Sequence, residues 1–204
     1  MTEGKRRDLA RLGARLGLVL DARPLDDQLA DAFGDGAPTL LDVGVGSGEA
    51  TVAWARDHPD HHVLAVELHR PSIVAALRAV DEAGLATVRV ADADARAVLD
   101  VAAPGDLAQL RLLFPDPWPK RRHHHRRLVD AAFVARAAEV LASGATFHLA
   151  TDWPDYAAAV RALLEADDRL ALVDGPPPSR PVTAYERAGV AAGRAATDLV
   201  AVRR

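Results

Sequence analysis

The sequence contains no cysteine, which closes off a disulfide framework and any thiolate metal or redox centre. Lysine occurs only at Lys5 and Lys120, aromatic residues make up 4% of the chain, and there is a single methionine. Arginine therefore carries almost all the positive charge, and with the abundant alanine this reads as coding bias rather than as a sign of function. Long hydrophobic runs are missing too: nothing approaches the roughly 18 apolar residues of a membrane-spanning helix. Met1 to Asp8 is polar and charged, unlike an export signal, so the expectation is a soluble cytoplasmic protein. An excess of positive charge is also lacking. A net charge of −4 excludes a polycation that coats nucleic acid by bulk electrostatics and leaves only a local patch for that purpose.

What is present fits one domain, since 204 residues of which half are apolar can bury a core unaided. Apolar runs of strand length alternate with longer helical patterns. They predict strands over Thr39 to Val43, His62 to Val66, Thr87 to Val90, Leu110 to Phe114 and Thr146 to Ala150. Helices are predicted over Ala50 to Asp57, Ser72 to Ala83, Leu128 to Leu141 and Asp155 to Ala166. The alternation implies an α/β fold with a doubly wound sheet and a ligand crevice at the carboxyl ends of its strands. Residues 1–38 read as a helical extension, with helices containing Leu9 to Leu20 and Leu25 to Phe33, that covers the sheet or guides substrate; residues 39–204 form the core. Asp174 to Pro181, rich in proline and glycine, predicts an exposed loop that delivers Thr183 to Gly189 to a site.

The first chemical motif is Asp42-Val43-Gly44-Val45-Gly46-Ser47-Gly48-Glu49, a strand that runs into a glycine turn and then a helix. Gly44, Gly46 and Gly48 permit close backbone approach to a ligand, although an ordinary tight turn uses the same residues. Glu67 ends the second strand, nineteen residues after Gly48, where a carboxylate can accept hydrogen bonds from both ribose hydroxyls of an adenosine. Asp42, beside the turn, argues against a pyrophosphate and for a cationic ligand. Asp92 and Asp94 follow the third strand. Asp94, the favoured one of the pair, can hold an adenine amino group or simply cap a helix.

The second motif is Phe114-Pro115-Asp116-Pro117-Trp118-Pro119-Lys120, a proline-stiffened loop on the crevice side that holds Asp116 in place. Lys120 to Arg127 follows as a basic run that includes Arg122 and His123. It reads either as a solvated face or as a contact for RNA phosphates and bases, and its position beside the crevice of an acidic chain favours RNA. Three adjacent histidines do not converge on one ion, so no metal is expected beyond adventitious binding at His123 to His125. Asp152 follows the fifth strand. It can cap the next helix, or with Asp116 accept the N1 and N2 hydrogens of a guanine.

Taken together, Asp42-Val43-Gly44, Glu67-Leu68-His69, Asp94-Ala95, Phe114 to Arg127, Ala150-Thr151-Asp152 and Thr183-Ala184-Tyr185-Glu186-Arg187-Ala188-Gly189 closely resemble the bacterial tRNA (guanine-N7-)-methyltransferase family. The Phe114 to Arg127 block carries most of that specificity. The resemblance implies a Rossmann-like class I methyltransferase fold, with a mostly parallel seven-stranded sheet and helices on both faces. It further implies S-adenosylmethionine as cofactor and tRNA as partner and substrate; no obligatory protein partner is expected, and monomer and homodimer both stay open. Donor contacts are implied at Asp42, Glu67, Asp94 and Asp116 beside the glycine turn, with Asp116 also the active-site residue. Substrate contacts are implied at Lys120, Asp152, Thr183, Ala184, Tyr185 and Glu186, with Arg122 and His123 in the adjoining basic run. Two positions depart from the family pattern: Asp42 stands where the family has glutamate, and Ala184 where it has lysine. Readings that compete are a methyltransferase for another RNA, a protein or a small molecule, an RNA-binding protein without catalysis, and an NAD-dependent oxidoreductase. The last lacks a Tyr-Lys or histidine proton relay beside the turn.

Overall fold

The computed structural model describes residues 2–175, 178 and 180–204. Its strands are β1 (Thr39–Val43), β2 (His62–Glu67), β3 (Val88–Asp92), β4 (Leu107–Leu113), β5 (Leu141–Thr151), β6 (Leu170–Leu172) and β7 (Thr197–Arg203). They form a seven-stranded sheet in the order β3-β2-β1-β4-β5-β7-β6. Neighbours are parallel except β7, which runs antiparallel to both β5 and β6. The helices are α1 (Glu3–Leu16), α2 (Leu25–Phe33), α3 (Glu49–Asp57), α4 (Arg70–Glu82), α5 (Ala95–Val101), α6 (Ala131–Val140), α7 (Pro154–Glu165) and α8 (Ala184–Ala191). Because β1 sits between β2 and β4, the winding direction reverses there, and that reversal opens a crevice at the carboxyl ends of β1 and β4.

The period-two alternation of strand side chains divides the core into two layers. Leu40, Val63, Ala65, Val88 and Val90 point to one face and pack with Leu12 and Leu16 of α1, Val52 of α3, and Ile73 and Leu77 of α4. Leu41, Val43, Leu64, Val66, Leu112 and Leu149 point to the other, against Leu25, Leu99, Phe133, Tyr156 and Leu164. Strands buried on both faces read as continuous apolar runs, which is why the central ones were legible. No helix among the described residues is long and apolar enough to cross a membrane.

Several boundaries differ from the sequence reading. The first helix spans Glu3–Leu16 rather than Leu9 to Leu20: the Thr2 side chain caps its start, and the chain leaves the helix at Gly17, whose neighbour Leu18 donates to Val90 O at 3.0 Å. The extension is thus part of the core, with Leu12 and Leu16 buried on α4 and β3. Helix α6 begins at Ala131, where Asp130 caps it by accepting from Phe133 N at 2.9 Å, instead of at Leu128. Strand β5 runs eleven residues, starting directly from the end of α6. The short elements α5, β6, β7 and α8 were not placed from sequence. Of the expected Asp174–Pro181 loop, residues 176, 177 and 179 lie outside the described residues, while Asp174, Gly175 and Pro178 are exposed.

Candidate active site

The crevice at the ends of β1 and β4 is lined by the Asp42–Ser47 turn, by Glu49 to Thr51 at the start of α3, by Leu113, and by Thr183 to Tyr185. Gly46 and Gly48 adopt φ of 55° and 83°, a left-handed region that costs other residues dearly. A Cβ on Gly48 would also stand 3.0 Å from Ala76 Cα, so glycine is what lets this turn lie against α4. Gly46 N donates to Glu67 Oε2 at 3.1 Å, while Glu67 Oε1 accepts from the amides of Leu68 and His69 at 2.8 and 2.9 Å. The Glu67 carboxylate is thereby fixed beside the turn, and a carboxylate oxygen has a second lone-pair site for a ligand hydroxyl.

Asp42 has a different environment from the one expected. Its side chain points into the layer under α3, where it pairs across the β1–β4 register with Arg111: Arg111 Nε donates to Oδ1 at 3.0 Å and Nη2 to Oδ2 at 2.6 Å. Thr51 Oγ1 donates to Oδ2 at 2.7 Å. Both charged side chains are at most 4% exposed. Since Arg111 neutralises it, Asp42 does not supply the negative potential from which a cationic ligand was argued. Asp42 is nonetheless among the residues that line the crevice. Asp94 caps α5, Oδ1 accepting from Arg96 N at 2.8 Å, and Asp92 lies 3.5 Å from Arg70.

The loop after β4 holds two non-glycine residues in left-handed conformation, Phe114 at φ 56° and Trp118 at φ 43°. Such bulky residues cost about 1–3 kcal/mol each in this region and persist only where the surroundings hold them. Phe114 N donates to Ala150 O at 2.7 Å. Arg127 is buried; its Nε donates to Pro117 O at 2.9 Å and its Nη2 reaches Asp155 at 2.9 Å. Arg126 lies over the Trp118 ring at 4.9 Å, and His123 meets the same ring edge-on at 5.9 Å. Between these anchors Asp116 is exposed. The basic run, folded as a 3-10 turn over Arg121–Arg126, therefore divides: Arg127 turns inward and holds the loop, while Lys120, Arg121, Arg122, His125 and Arg126 face solvent.

The start of helix α8 lines the crevice. Thr183 caps it, accepting from Glu186 N at 3.2 Å, and Tyr185 places Cε2 3.6 Å from where a Gly46 Cβ would be. Arg187 reaches Glu49 at 3.6 Å, tying α8 to α3. Asp152 is not a helix cap; Trp153 holds that position on α7. Asp152 accepts from Arg194 Nε at 2.8 Å and lies directly under Gly189, where a Cβ would overlap its carboxylate. Ala184 is exposed at the crevice lining. The structure thus brings the glycine turn, Glu67 and Thr183–Tyr185 together. The Asp116 loop and its exposed cations follow Leu113, which lines the same crevice, and Asp152 lies beneath α8.

A buried network was not foreseen. Arg180 bonds both Asp198 and Glu186, and Asp198 also meets His148 Nε2 at 2.7 Å. Burial would raise the Asp198 carboxyl, but hydrogen bonds from His148 and Arg180 and the charge of Arg180 outweigh it and hold the group at about 2. The same carboxylates raise Arg180 despite its burial. The available signal was a polar residue inside an apolar strand run, His148 in Thr146 to Ala150 and Arg111 in Leu110 to Phe114, because each then requires a buried partner.

A doubly wound sheet with a glycine turn after β1, an acidic residue ending β2 and one antiparallel strand at the far side defines the Rossmann-like class I methyltransferases. Solved structures agree in fold. "Crystal structure of TrmN from Thermus thermophilus" aligns with a TM-score of 0.59 at 18% identity, over 98% of this chain and 53% of that one. "Structure of an Antibiotic Related Methyltransferase" aligns at 0.58 and 14%, over 91% and 95%. The profile of the family described as "Putative methyltransferase" matches residues 36–199. A tRNA (guanine-N(7)-)-methyltransferase of Halorhodospira halophila is 42% identical over 98% of this chain and 89% of its own length. One from Nocardioides sp. is 46% identical over 86% and 72%. The chain belongs to the tRNA (guanine-N7-)-methyltransferase family.

Proposed function

We propose that this protein transfers the methyl group of S-adenosylmethionine to N7 of the variable-loop guanosine of tRNA. One observation carries the reading: a rigid glycine turn with the Glu67 carboxylate beside it and a strained, anchored loop presenting Asp116 open from adjacent strands, with exposed Lys120, Arg121 and Arg122 directly following. The glycine turn and Glu67 fit the methyl donor, the backbone receiving its amino-acid portion and the carboxylate its ribose; Asp94 and Asp116 complete the donor contacts. The donor, when bound, supplies an electrophilic methyl on a sulfonium.

Guanine N7 has an in-plane lone pair and bears no proton, so no general base is needed. The N7–carbon bond forms as the carbon–sulfur bond breaks, and positive charge passes from sulfur to the purine. Catalysis then rests on alignment and on fixed negative charge near the base. Asp116 orients the guanine and stabilises the developing cation, Asp152 and Glu186 accept hydrogens from the substrate, and Lys120, Arg122 and His123 meet the tRNA backbone. Incubation with labelled donor and unmodified bulk tRNA should place label in alkali-sensitive N7-methylguanosine. Asp116→Ala should retain its fold and lose turnover; label in another nucleotide, or near-normal turnover by that variant, would overturn the assignment.

A further inference from the structure

Arg180 stands just ahead of α8, and three segments meet on its side chain: β7, α8 and the loop after β4. Nε and Nη2 donate to the two Asp198 oxygens on β7, each at 2.9 Å. Nη1 donates to Glu186 Oε2 on α8 at 2.5 Å, and Nη2 approaches Oε1 at 3.4 Å. Asp198 shares Oδ1 with His148 of β5. The guanidinium carbon lies 5.2 Å from the centre of the Phe114 ring, at the root of the loop that carries Asp116. The Arg180 side chain is 8% exposed and that of Asp198 9%, so water does little to replace these bonds.

Without a cation between them, Asp198 and Glu186 would be left as two largely buried anions around the same space. A guanidinium satisfies both in fixed, forked geometry and can still present its flat face to a ring, which an ammonium cannot do. Glu186 keeps acceptor capacity on its oxygens for a substrate donor. Phe114 has its strained backbone held by the Ala150 carbonyl, and its ring is covered by Arg180.

We propose that Arg180 is a positioning residue for methyl transfer, holding the Glu186 carboxylate and the Phe114 root of the Asp116 loop in one geometry so that the tRNA-contacting start of α8 and the reacting loop are set together. The proposal rests on the reading of Glu186 as a substrate contact. It does not require Arg180 to touch tRNA or donor.

The test is a cycle of Arg180→Lys, Glu186→Gln and the double variant, with kcat and KM for tRNA, donor Kd by calorimetry, and thermal midpoints. Arg180→Lys keeps the charge but loses the fork. It should lower kcat/KM for tRNA by about tenfold to hundredfold, the scale of a charge-assisted hydrogen bond, with donor Kd unchanged. The double variant should lose no more than the worse single one, because both act through the same carboxylate. Multiplicative losses, or a lowered midpoint with normal kcat/KM, would overturn the proposal. Full activity of Glu186→Gln would instead remove the substrate-contact reading and the proposal with it, whereas loss there with none in Arg180→Lys removes the proposal alone. Should Arg180→Lys fail to fold, Asp198→Asn loosens Arg180 from its other side and is read the same way.

Discussion

Three acidic residues near the crevice illustrate how little a residue's type says about its task. Asp42 is buried against Arg111 and Thr51, Glu67 is fixed by three backbone amides at the turn, and Asp116 is exposed on a strained loop. Removing one member of a buried ion pair leaves the other uncompensated, at about 3–5 kcal/mol. Arg111→Met should therefore lower the unfolding free energy by about that amount in urea titration, since Asp42 stays behind in an apolar layer. A loss under about 1 kcal/mol would mean that water reaches Asp42. Asp198 gives a pH signature. Its folded value of about 2 lies below the ordinary 3.8, so its stabilising contribution is complete above 3.8 and disappears as pH falls from there toward 2. Asp198→Asn should accordingly flatten the fall in thermal midpoint over that acid window, and an unchanged acid limb would contradict the strength of its bonds to His148 and Arg180.

At the scale of elements, α8 is the piece that sequence reading handled least well, although the motif inside it was recognised. Its eight residues offer little apolar periodicity, only Gly189 being buried, and its place is set by contacts far along the chain: Tyr185 on Gly46, Arg187 with Glu49, Gly189 on Asp152. The parallel strands were legible because burial on both faces leaves unbroken apolar runs. Strand β7 was not, since its apolar run covers only Leu199 to Val202 and it pairs antiparallel with β5 instead of continuing the parallel strand-helix alternation. Likewise the glycine turn and the proline loop were readable from local chemistry, whereas the partners of Asp42, Asp152 and Glu186 were not, because they come from elsewhere in the chain. Gly189→Ala tests the seating of α8. The added carbon would overlap the Asp152 carboxylate and lie 3.1 Å from its Cγ, so helix or carboxylate must shift. A displacement near 1 Å costs up to about a hundredfold in rate, and we expect a loss of that order in kcat/KM for tRNA with an unchanged circular dichroism spectrum. Normal kinetics would show that α8 has room to move without consequence.

Across the whole molecule the charge is net negative, yet the proposed substrate is a polyanion, so binding has to be local and must overcome a mild general repulsion. The exposed cations that follow the Asp116 loop, Lys120, Arg121, Arg122 and Arg126, are the ones placed beside the crevice by the 3-10 turn, and Arg127 beneath them is already committed to Pro117 and Asp155. Each cation that neutralises a phosphate releases counterions and steepens the fall of log affinity with log salt by about 0.7 to 0.9. Lys120→Gln and Arg122→Gln should each reduce that slope by about this amount, and together by about twice it, while donor affinity stays constant because neither side chain lines the glycine turn. Arg127→Gln should behave differently: the slope for whatever tRNA still binds stays as it was, while turnover falls as the loop loses its anchor. If instead Arg127→Gln alone altered the slope and the two outward residues did not, the basic run would be a scaffold for the loop, and the acidic body of the protein would have to hold tRNA through another face.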